Sequence, residues 1–177
     1  MQPDPGPALL ALYDTALPHV YGYLLARCGR RALAEDLTGD TFLAAVAACR
    51  REPATAPSVA WLVGIARHKL VDHWRSAERE ERGLRAVHDA TPDHLDPWDR
   101  QLDVLVARDL LAAQPAAHRA ALTLRYLDGM PVPEVAALLG RTVHATEALL
   151  HRARSAFRRA CRDQGLLDEP SGQGGSA

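Results

Sequence analysis

The sequence predicts an all-α protein of two small helical domains joined by a flexible linker. Hydrophobic residues make up 47% of the 177 residues, whereas aromatic residues make up only 5%. Runs of β-branched residues are nearly absent, which favours helices over strands. Apolar residues recur at helical spacing, and glycine and proline separate the periodic segments. A chain of this length holds one domain or two small ones.

The N-terminal half, residues 1–85, is predicted to hold three helices. They span 8–28 with Pro18 inside, 32–50 after Gly29, and 61–85 after a loop at 51–60 that contains two prolines. Apolar spacing predicts which residues are buried. They are Leu9, Leu12, Tyr13, Leu17, Val20, Tyr21, Leu24 and Leu25 in the first helix, Leu33, Leu37, Thr41, Phe42 and Ala45 in the second, and Trp61, Leu62, Ile65, Ala66, Leu70 and Val71 in the third.

Three acids lie near the start of the second helix, away from its apolar side: Glu35, Asp36 and Asp40. Acids near a helix N-terminus are most often surface residues that the helix dipole favours. The alternative is an acidic face that docks a basic partner.

The third helix carries a second group of polar residues on another side. They are Arg67, His68, Lys69, His73, Trp74 and Arg75. A basic helix with an exposed aromatic residue beside a loop is what proteins that bind unstacked bases use. The alternative is that Trp61 and Trp74 belong to the core, which we favour for Trp61.

The chain shows no pattern that predicts a metal site, a cofactor or an enzyme. His68 and His73 are five residues apart and do not share a helical face, and no Cys or carboxylate stands at ligand spacing. No nucleophile and base are arranged as a catalytic pair.

Residues 86–100 lose the helical periodicity and contain Pro92 and Pro97, which predicts an acidic, flexible linker. The second domain, 101–165, begins with a helix at 102–113. Another helix follows Pro115 and ends at Asp128-Gly129. It is expected to place Ala117, Ala121, Leu124 and Leu127 on one side, with Leu122 and Tyr126 close by. Residues 166–177 have the composition of a disordered tail.

Residues 131–157 predict two helices joined by a tight turn. Val132, Val135, Ala136 and Leu139 form one apolar stripe, and Pro133 and Glu134 suit a first helical turn. Gly140 is expected to end this helix in the left-handed conformation, and Thr142 to cap the next one.

The second of these helices is predicted to be amphipathic and basic. Its packed seam comprises Val143, Thr146, Leu150, Ala153 and Phe157, and His144, Glu147, Ala148, His151, Arg152 and Arg154 lie to its sides. Six arginines stand against the single acid Glu147 between residues 141 and 162. A short helix, a glycine turn and a longer polar helix are typical of a helix-turn-helix that enters a major groove. The alternative is an ordinary αα-hairpin with a solvated basic face.

Net charge and cysteine usage limit the kinds of partner and compartment. The net charge is −1, so attraction to nucleic acid must come from local patches, in which every basic residue except Lys69 is arginine. The three cysteines form no CxxC pattern, which favours a reducing compartment. Without a membrane-spanning run or a signal peptide, the chain is expected to be cytoplasmic.

Three motifs resemble the extracytoplasmic-function (ECF) group of bacterial RNA polymerase sigma factors. AEDLTGDTFLAAV (34–46) is similar to the helix that docks on core polymerase, and SVAWLVGIARHKLVDHWR (58–75) to the segment that melts the −10 promoter element. Residues 122–160 are similar to the region whose helix-turn-helix reads the −35 element. The resemblance implies a sigma factor that delivers core polymerase to specific promoters and helps to open the −10 region.

The resemblance also implies which residues form each site. Core polymerase is contacted by Glu35, Asp36 and Asp40, the −10 element by Trp61, Arg67, His68, Lys69 and Arg75, and the −35 element by Arg141, Thr142, His144, Ala145, Glu147, Ala148, His151 and Arg152. The chain departs from the family at five positions: Gly39 for Gln, Val46 for Trp, His68 for Asn, Glu147 for Lys or Arg, and Leu149 for Arg. His68 implies a different preferred base in the −10 element. Glu147 and Leu149 imply an uncommon −35 sequence, and Glu147 favours cytosine N4 there.

The implied partners are core RNA polymerase, promoter DNA and an anti-sigma factor. Two other interpretations of the residues stay open at this point. A stand-alone helix-turn-helix regulator would bind its operator without polymerase, and a helical adaptor would contact protein or RNA and support no promoter-dependent transcription.

Overall fold

The computed structural model describes residues 5–52, 56–84 and 104–166, which hold seven α-helices. They are α1 (Pro5–Cys28), α2 (Arg31–Arg51), α3 (Val59–Leu84), α4 (Val104–Ala112), α5 (Ala116–Leu122), α6 (Val132–Leu139) and α7 (Val143–Asp163). The chain forms two compact units that divide between Glu80 and Glu81, here called unit 1 and unit 2. The described part is helical throughout, as predicted. The predicted linker at 86–100 and the tail from residue 167 lie outside the described residues.

In unit 1, α1 and α2 pack against each other after the chain turns at Gly29 (φ 66°). Pro18 lies inside α1 without ending it. The buried stripe of α1 is Leu9, Ala16, Val20, Leu24 and Cys28, and that of α2 is Ala34, Leu37, Thr38, Thr41, Ala45 and Cys49. Of the residues predicted to be buried in α1 and α2, Tyr13 is exposed, and six are half-buried: Leu12, Leu17, Tyr21, Leu25, Leu33 and Phe42.

The buried threonines of α2 are compatible with the core because their hydroxyls are hydrogen-bonded. Thr38 Oγ1 donates to the Ala34 carbonyl at 2.6 Å, and Thr41 Oγ1 donates to the Leu37 carbonyl at 2.7 Å. A buried hydroxyl with a partner avoids the desolvation penalty of an unpaired one.

Helix α3 buries a residue at every fourth position: Leu62, Ala66, Leu70 and Trp74, with Val71 beside them. The placement of the two tryptophans corrects the sequence interpretation. Trp74, expected on the projecting side, is 1% exposed, whereas Trp61, expected in the core, is half-buried. Trp74 continues the buried stripe that repeats every four residues, whereas Trp61 lies on the opposite side of the helix.

In unit 2, α7 packs against α4, α5 and α6. Leu122 joins Ala153, Phe157 and Cys161 of α7 in one buried cluster. Ala107, Leu110, Leu111 and Leu166 pack against this cluster. Leu166 was assigned to the disordered tail, and this assignment is wrong for that residue because its apolar side chain covers the end of the core. Burial also raises the pKa of the Cys161 thiol, which therefore stays neutral.

Helix α5 continues into a π turn at Thr123–Leu127, where the Asp128 N–H donates to the Thr123 carbonyl at 3.0 Å. The predicted inner side of this segment is partly wrong, and the turn accounts for the difference at Leu127. Ala121 and Leu124 are buried as expected, but Ala117, which precedes the turn, is half-buried, and Leu127 is 52% exposed. A π turn holds more residues than an α turn, so the positions after it rotate away from the α-helical stripe.

None of the described helices is both long enough and apolar enough to cross a membrane.

Candidate nucleic-acid interface

The turn between α6 and α7 has the backbone geometry that the sequence predicted. Gly140 adopts the left-handed conformation (φ 63°, ψ 39°). The Arg141 N–H donates to the Ala136 carbonyl at 2.9 Å, and the Gly140 N–H donates to the Ala137 carbonyl at 3.2 Å. These two bonds form a Schellman motif, which satisfies carbonyls at the end of α6.

Thr142 begins α7 as its N-cap. Its Oγ1 accepts a hydrogen bond from the Ala145 N–H at 3.1 Å, and its backbone is extended (φ −72°, ψ 157°). The Thr142 carbonyl also accepts from the buried Thr146 hydroxyl at 2.9 Å. The start of α7 is therefore fixed by side-chain and backbone bonds.

Replacing Thr142 with alanine is expected to destabilise unit 2 by about 1 kcal/mol, because it removes the cap acceptor. Thermal unfolding followed by circular dichroism measures the change. The control is Thr142→Ser, which keeps an acceptor oxygen and should retain most of the wild-type stability. An equal loss of stability in Thr142→Ala and Thr142→Ser would show that the cap hydrogen bond does not stabilise unit 2.

The packed side of α7 agrees with the prediction over most of its length. Thr146, Leu150, Ala153 and Phe157 are buried as expected. Val143 is 43% exposed, since it is the first residue of the helix and lies before the packed part begins. Leu149 is 4% exposed and belongs to the core. The interpretation of Leu149 as a changed DNA-reading position is therefore wrong.

The eight residues predicted to read the −35 element all lie on accessible parts of the turn and α7. Arg141, Ala145, Ala148 and His151 are half-buried, and Thr142, His144, Glu147 and Arg152 are exposed. His144, Ala148 and His151 follow one another at i, i+4 and i+7 on one face. Ala145 and Arg152 lie on one flank of that face, and Glu147 lies on the other.

His151 has a buried ring nitrogen, Nε2, without a hydrogen-bond partner among the described residues. A buried polar atom without a partner costs free energy until a ligand or water satisfies it. The structure therefore places an unsatisfied ring nitrogen beside the exposed face of α7.

Arg154 has a structural contact that the sequence did not predict. Its Nη1 donates to the Tyr126 hydroxyl at 3.0 Å, which ties α7 to the π turn. In the same segment Arg125 donates to the Met130 carbonyl at 3.0 Å. The two residues of the Arg154–Tyr126 pair are 28 positions apart, so no local pattern could have identified it.

On α3, Trp61, His68 and Arg75 are spaced by seven residues and share one side of the helix. His68 is exposed, and Trp61 and Arg75 are half-buried. Arg67 and Lys69 lie on opposite flanks of His68, so the five residues do not form one face. Asp72 lies on the same side and pairs with Arg75 at 3.8 Å, an acid that the sequence interpretation did not include.

The three acids of α2 are exposed, but they do not share one face. Asp36 and Asp40 follow each other at i and i+4, whereas Glu35 is turned by about 100° from Asp36. Glu35 pairs with Arg31 at 3.6 Å. The Arg31 guanidinium has its pKa raised by its hydrogen bond to Tyr21 and then by Glu35.

Apolar residues accompany these acids. Leu43 is 70% exposed on the side of Asp36 and Asp40, and sequence reasoning had not singled it out. Glu35 borders a groove of about 530 Å³ between α1 and α2. The rings of Tyr13 and Phe42 meet in this groove with centroids 4.8 Å apart. The acids therefore lie beside accessible apolar surface, a combination suited to a protein partner.

The described residues contain no group of three or more His, Cys, Asp or Glu side chains that is placed to hold a metal ion.

Two family models match the chain, one to each unit. The model of sigma-70 region 2 matches residues 12–80, and the model of sigma-70 region 4 matches residues 106–157. The first covers α2 and most of α1 and α3, and the second covers the helix-turn-helix.

Sequence relatives of the chain bear related names. The ECF RNA polymerase sigma factor BldN of Streptomyces coelicolor is 35% identical over 147 residues, which are 80% of this chain and 56% of that protein. The ECF RNA polymerase sigma factor SigL of Mycobacterium tuberculosis is 31% identical over 159 residues, 88% of this chain and 90% of that protein. The chain thus spans little more than half the length of BldN but nearly all of SigL.

A solved structure shares the fold. The sigma factor RpoE from Bartonella quintana, crystallised with the anti-sigma factor NepR, aligns with a TM-score of 0.53 at 22% sequence identity. The alignment covers 86% of this chain and 96% of that one.

Proposed function

The chain belongs to the ECF group of RNA polymerase sigma factors, and from this premise we propose that it directs core polymerase to promoters by dividing the work between its two units. Unit 1 docks on core polymerase and binds the −10 element, and unit 2 reads the −35 element as duplex DNA. The observation that carries the proposal is the accessible polar face of α7 in a well-formed helix-turn-helix. It occurs on a chain whose other unit matches sigma-70 region 2.

Unit 2 reads DNA through the start of α7. The exposed face that begins at His144 and continues through Ala148 and His151 enters the major groove, with the core seam on the opposite side. His144 is exposed, and its imidazole pairs with a base edge. Glu147 accepts from cytosine N4 and disfavours phosphate at its position, so the −35 sequence differs from one that an arginine there would select.

Unit 1 binds the −10 element as separated strands. Trp61 and His68 lie on the accessible side of α3, where a ring can stack on an unpaired base and an imidazole can hydrogen-bond its edge. Arg67 and Lys69 on the flanks and Arg75 further along supply positive charge for the backbone. Asp72 partly neutralises Arg75, so we place the stronger phosphate contact at Lys69.

Each unit alone binds its promoter element weakly, and core polymerase holds the two units on one promoter. The net charge of −1 gives the free chain little general attraction to DNA. Holding both units on one polymerase makes the second binding event intramolecular, which raises the effective concentration of each element for its reader. Specificity therefore depends on the assembled holoenzyme.

The proposed role is in promoter delivery and not in catalysis, and it places the chain in the cytoplasm, where core polymerase acts. We further propose that an anti-sigma factor controls it. This part rests on the family resemblance and on the accessible acidic and apolar surface of α2.

Run-off transcription tests the proposal. The purified chain is mixed with core polymerase and genomic promoter fragments, and transcripts are mapped against reactions that lack the chain. We expect transcripts that start downstream of a shared pair of −35 and −10 sequences. Binding to such fragments by the chain alone, with no transcripts in the presence of core polymerase, would favour a stand-alone regulator instead.

Replacing Asp36 with alanine is expected to weaken core polymerase binding roughly tenfold, because it removes one charge from the exposed Asp36–Asp40 pair. Fluorescence titration of labelled protein with core polymerase measures the affinity. Asp163→Ala, which removes an exposed acid at the end of α7, is the matched control and should bind as the wild type does. If both variants bind equally well, Asp36 is not part of the docking surface.

A further inference from the structure

The last turns of α7 carry three arginines that lie outside the proposed −35 site: Arg158, Arg159 and Arg162. Arg158 is half-buried, and Arg159 and Arg162 are exposed. Among the described residues, none of these three side chains makes a hydrogen bond or an ion pair. Arg154, one turn earlier, differs because it is held by Tyr126. The three arginines are therefore not explained by the packing of unit 2.

These arginines continue the exposed face that begins at His144. The face runs through Ala148, His151 and Ser155, at helical spacing, and reaches Arg158, Arg159 and Arg162 on the same side. Its first part carries small or neutral side chains, and its last part is strongly basic. The first part suits contact with base edges, and the last part suits contact with phosphate.

The length of the helix separates the two parts on DNA. Residues 144 and 162 are about 27 Å apart along the axis at ~1.5 Å per residue. The major groove is only about 12 Å wide. A helix of this length that places its start against base edges extends beyond the groove, and the long arginine side chains of its last turns can reach phosphates of a bordering strand.

We propose that Arg158, Arg159 and Arg162 bind the DNA phosphates that border the groove read by the start of α7. They add affinity and fix the register of unit 2 on the duplex without reading sequence. The inference rests on the proposed function, since it requires that α7 bind duplex DNA. The alternative ligand is an acidic surface on polymerase, but the shared face with His144 and His151 favours DNA.

The test is the salt dependence of DNA binding by the full chain. The DNA is a short duplex that carries only a −35 sequence, selected from a randomised promoter pool by the wild-type holoenzyme. Fluorescence anisotropy measures the affinity of the wild type and of R158Q/R159Q/R162Q. Each lost phosphate contact lowers the slope of log K against log salt by about 0.9, so the variant's slope should be smaller by about 2.7. Between ~50 and ~200 mM salt, the variant should then lose about 40-fold less affinity than the wild type.

Two controls separate this effect from charge and folding effects. R30Q/R50Q/R51Q removes the same charge from exposed positions in unit 1 and should leave the slope close to the wild-type value. R158K/R159K/R162K keeps the charge and should retain most of the slope. The preference for the selected duplex over a scrambled one should be unchanged in the glutamine variant, because phosphate contacts carry no sequence information.

The possible failures are distinguishable. An unchanged slope in R158Q/R159Q/R162Q, with the sequence preference intact, overturns the inference and leaves the proposed function standing. An unchanged slope combined with weaker transcription by holoenzyme assigns the arginines to a protein contact and also overturns it. If the wild-type holoenzyme selects no common −35 sequence from the randomised pool, the proposed reading of −35 by α7 fails, and the inference fails with it.

Discussion

Replacing Leu149 with arginine is expected to destabilise unit 2 by about 3–5 kcal/mol, because it places an unpaired charge in the core. Leu149 is 4% exposed, so the guanidinium must either lose its water or push α7 away from its neighbours. The family resemblance implies arginine at this position, so the resemblance alone would predict stronger DNA binding for this variant. Chemical denaturation of the full chain measures the effect. The denaturant concentration at the midpoint of unit 2 unfolding should fall, and the slope of unfolding free energy against denaturant concentration should not change.

The matched control is Glu147→Arg, which restores the family's basic residue at an exposed position two residues earlier. This variant should unfold as the wild type does and should bind duplex DNA more tightly, since it exchanges a repulsive charge for an attractive one. The burial argument would be refuted if Leu149→Arg were as stable as Glu147→Arg.

Replacing Trp74 with alanine is expected to cost unit 1 about 3–5 kcal/mol of stability, the range for a large aromatic residue removed from a core. Trp74 is 1% exposed and completes the stripe of Leu62, Ala66 and Leu70. Thermal unfolding measures the loss. Promoter opening should fall with it, because the same helix holds Trp61 and His68.

Trp61→Ala is the comparison variant for Trp74→Ala. Trp61 is half-buried, so its removal should cost clearly less stability than that of Trp74. It should nevertheless reduce opening of the −10 region, measured by permanganate reactivity of unpaired thymines in the holoenzyme complex. The opposite ranking, with Trp61→Ala the less stable variant, would show that the two tryptophans had been assigned to the wrong sides of α3.

Sequence reasoning was most successful where a local rule decides the structure. The end of α6 at Gly140 and the start of α7 at Thr142 depend on backbone conformation and on hydrogen bonds within a few residues. The same is true of the stripe from Thr146 to Phe157, which follows from helical spacing. The all-α fold could be predicted because composition and periodicity indicate helices along the whole described chain.

Sequence reasoning failed where contacts between helices decide the structure. Leu149 is buried although it lies beside the predicted seam, because α7 has several neighbours in unit 2. Trp61 and Trp74 exchanged roles for a different reason, since the interpretation did not extend the buried stripe of α3 as far as Trp74. In a helix that is apolar on more than one side, spacing alone does not show which side is covered. The functional roles of the exposed residues depend on partners and stay predictions.

The π turn at Thr123–Leu127 has a consequence for how unit 2 tolerates changes in chain length. Such a turn is equivalent to an α-helix that has gained a residue, and losing that residue would wind everything after it back by about 100°. Tyr126 would then leave its position beside Arg154, and the helix-turn-helix would face a new direction relative to α5. A one-residue deletion in this segment would therefore misdirect the groove-reading helix even if every amino acid that touches DNA were kept.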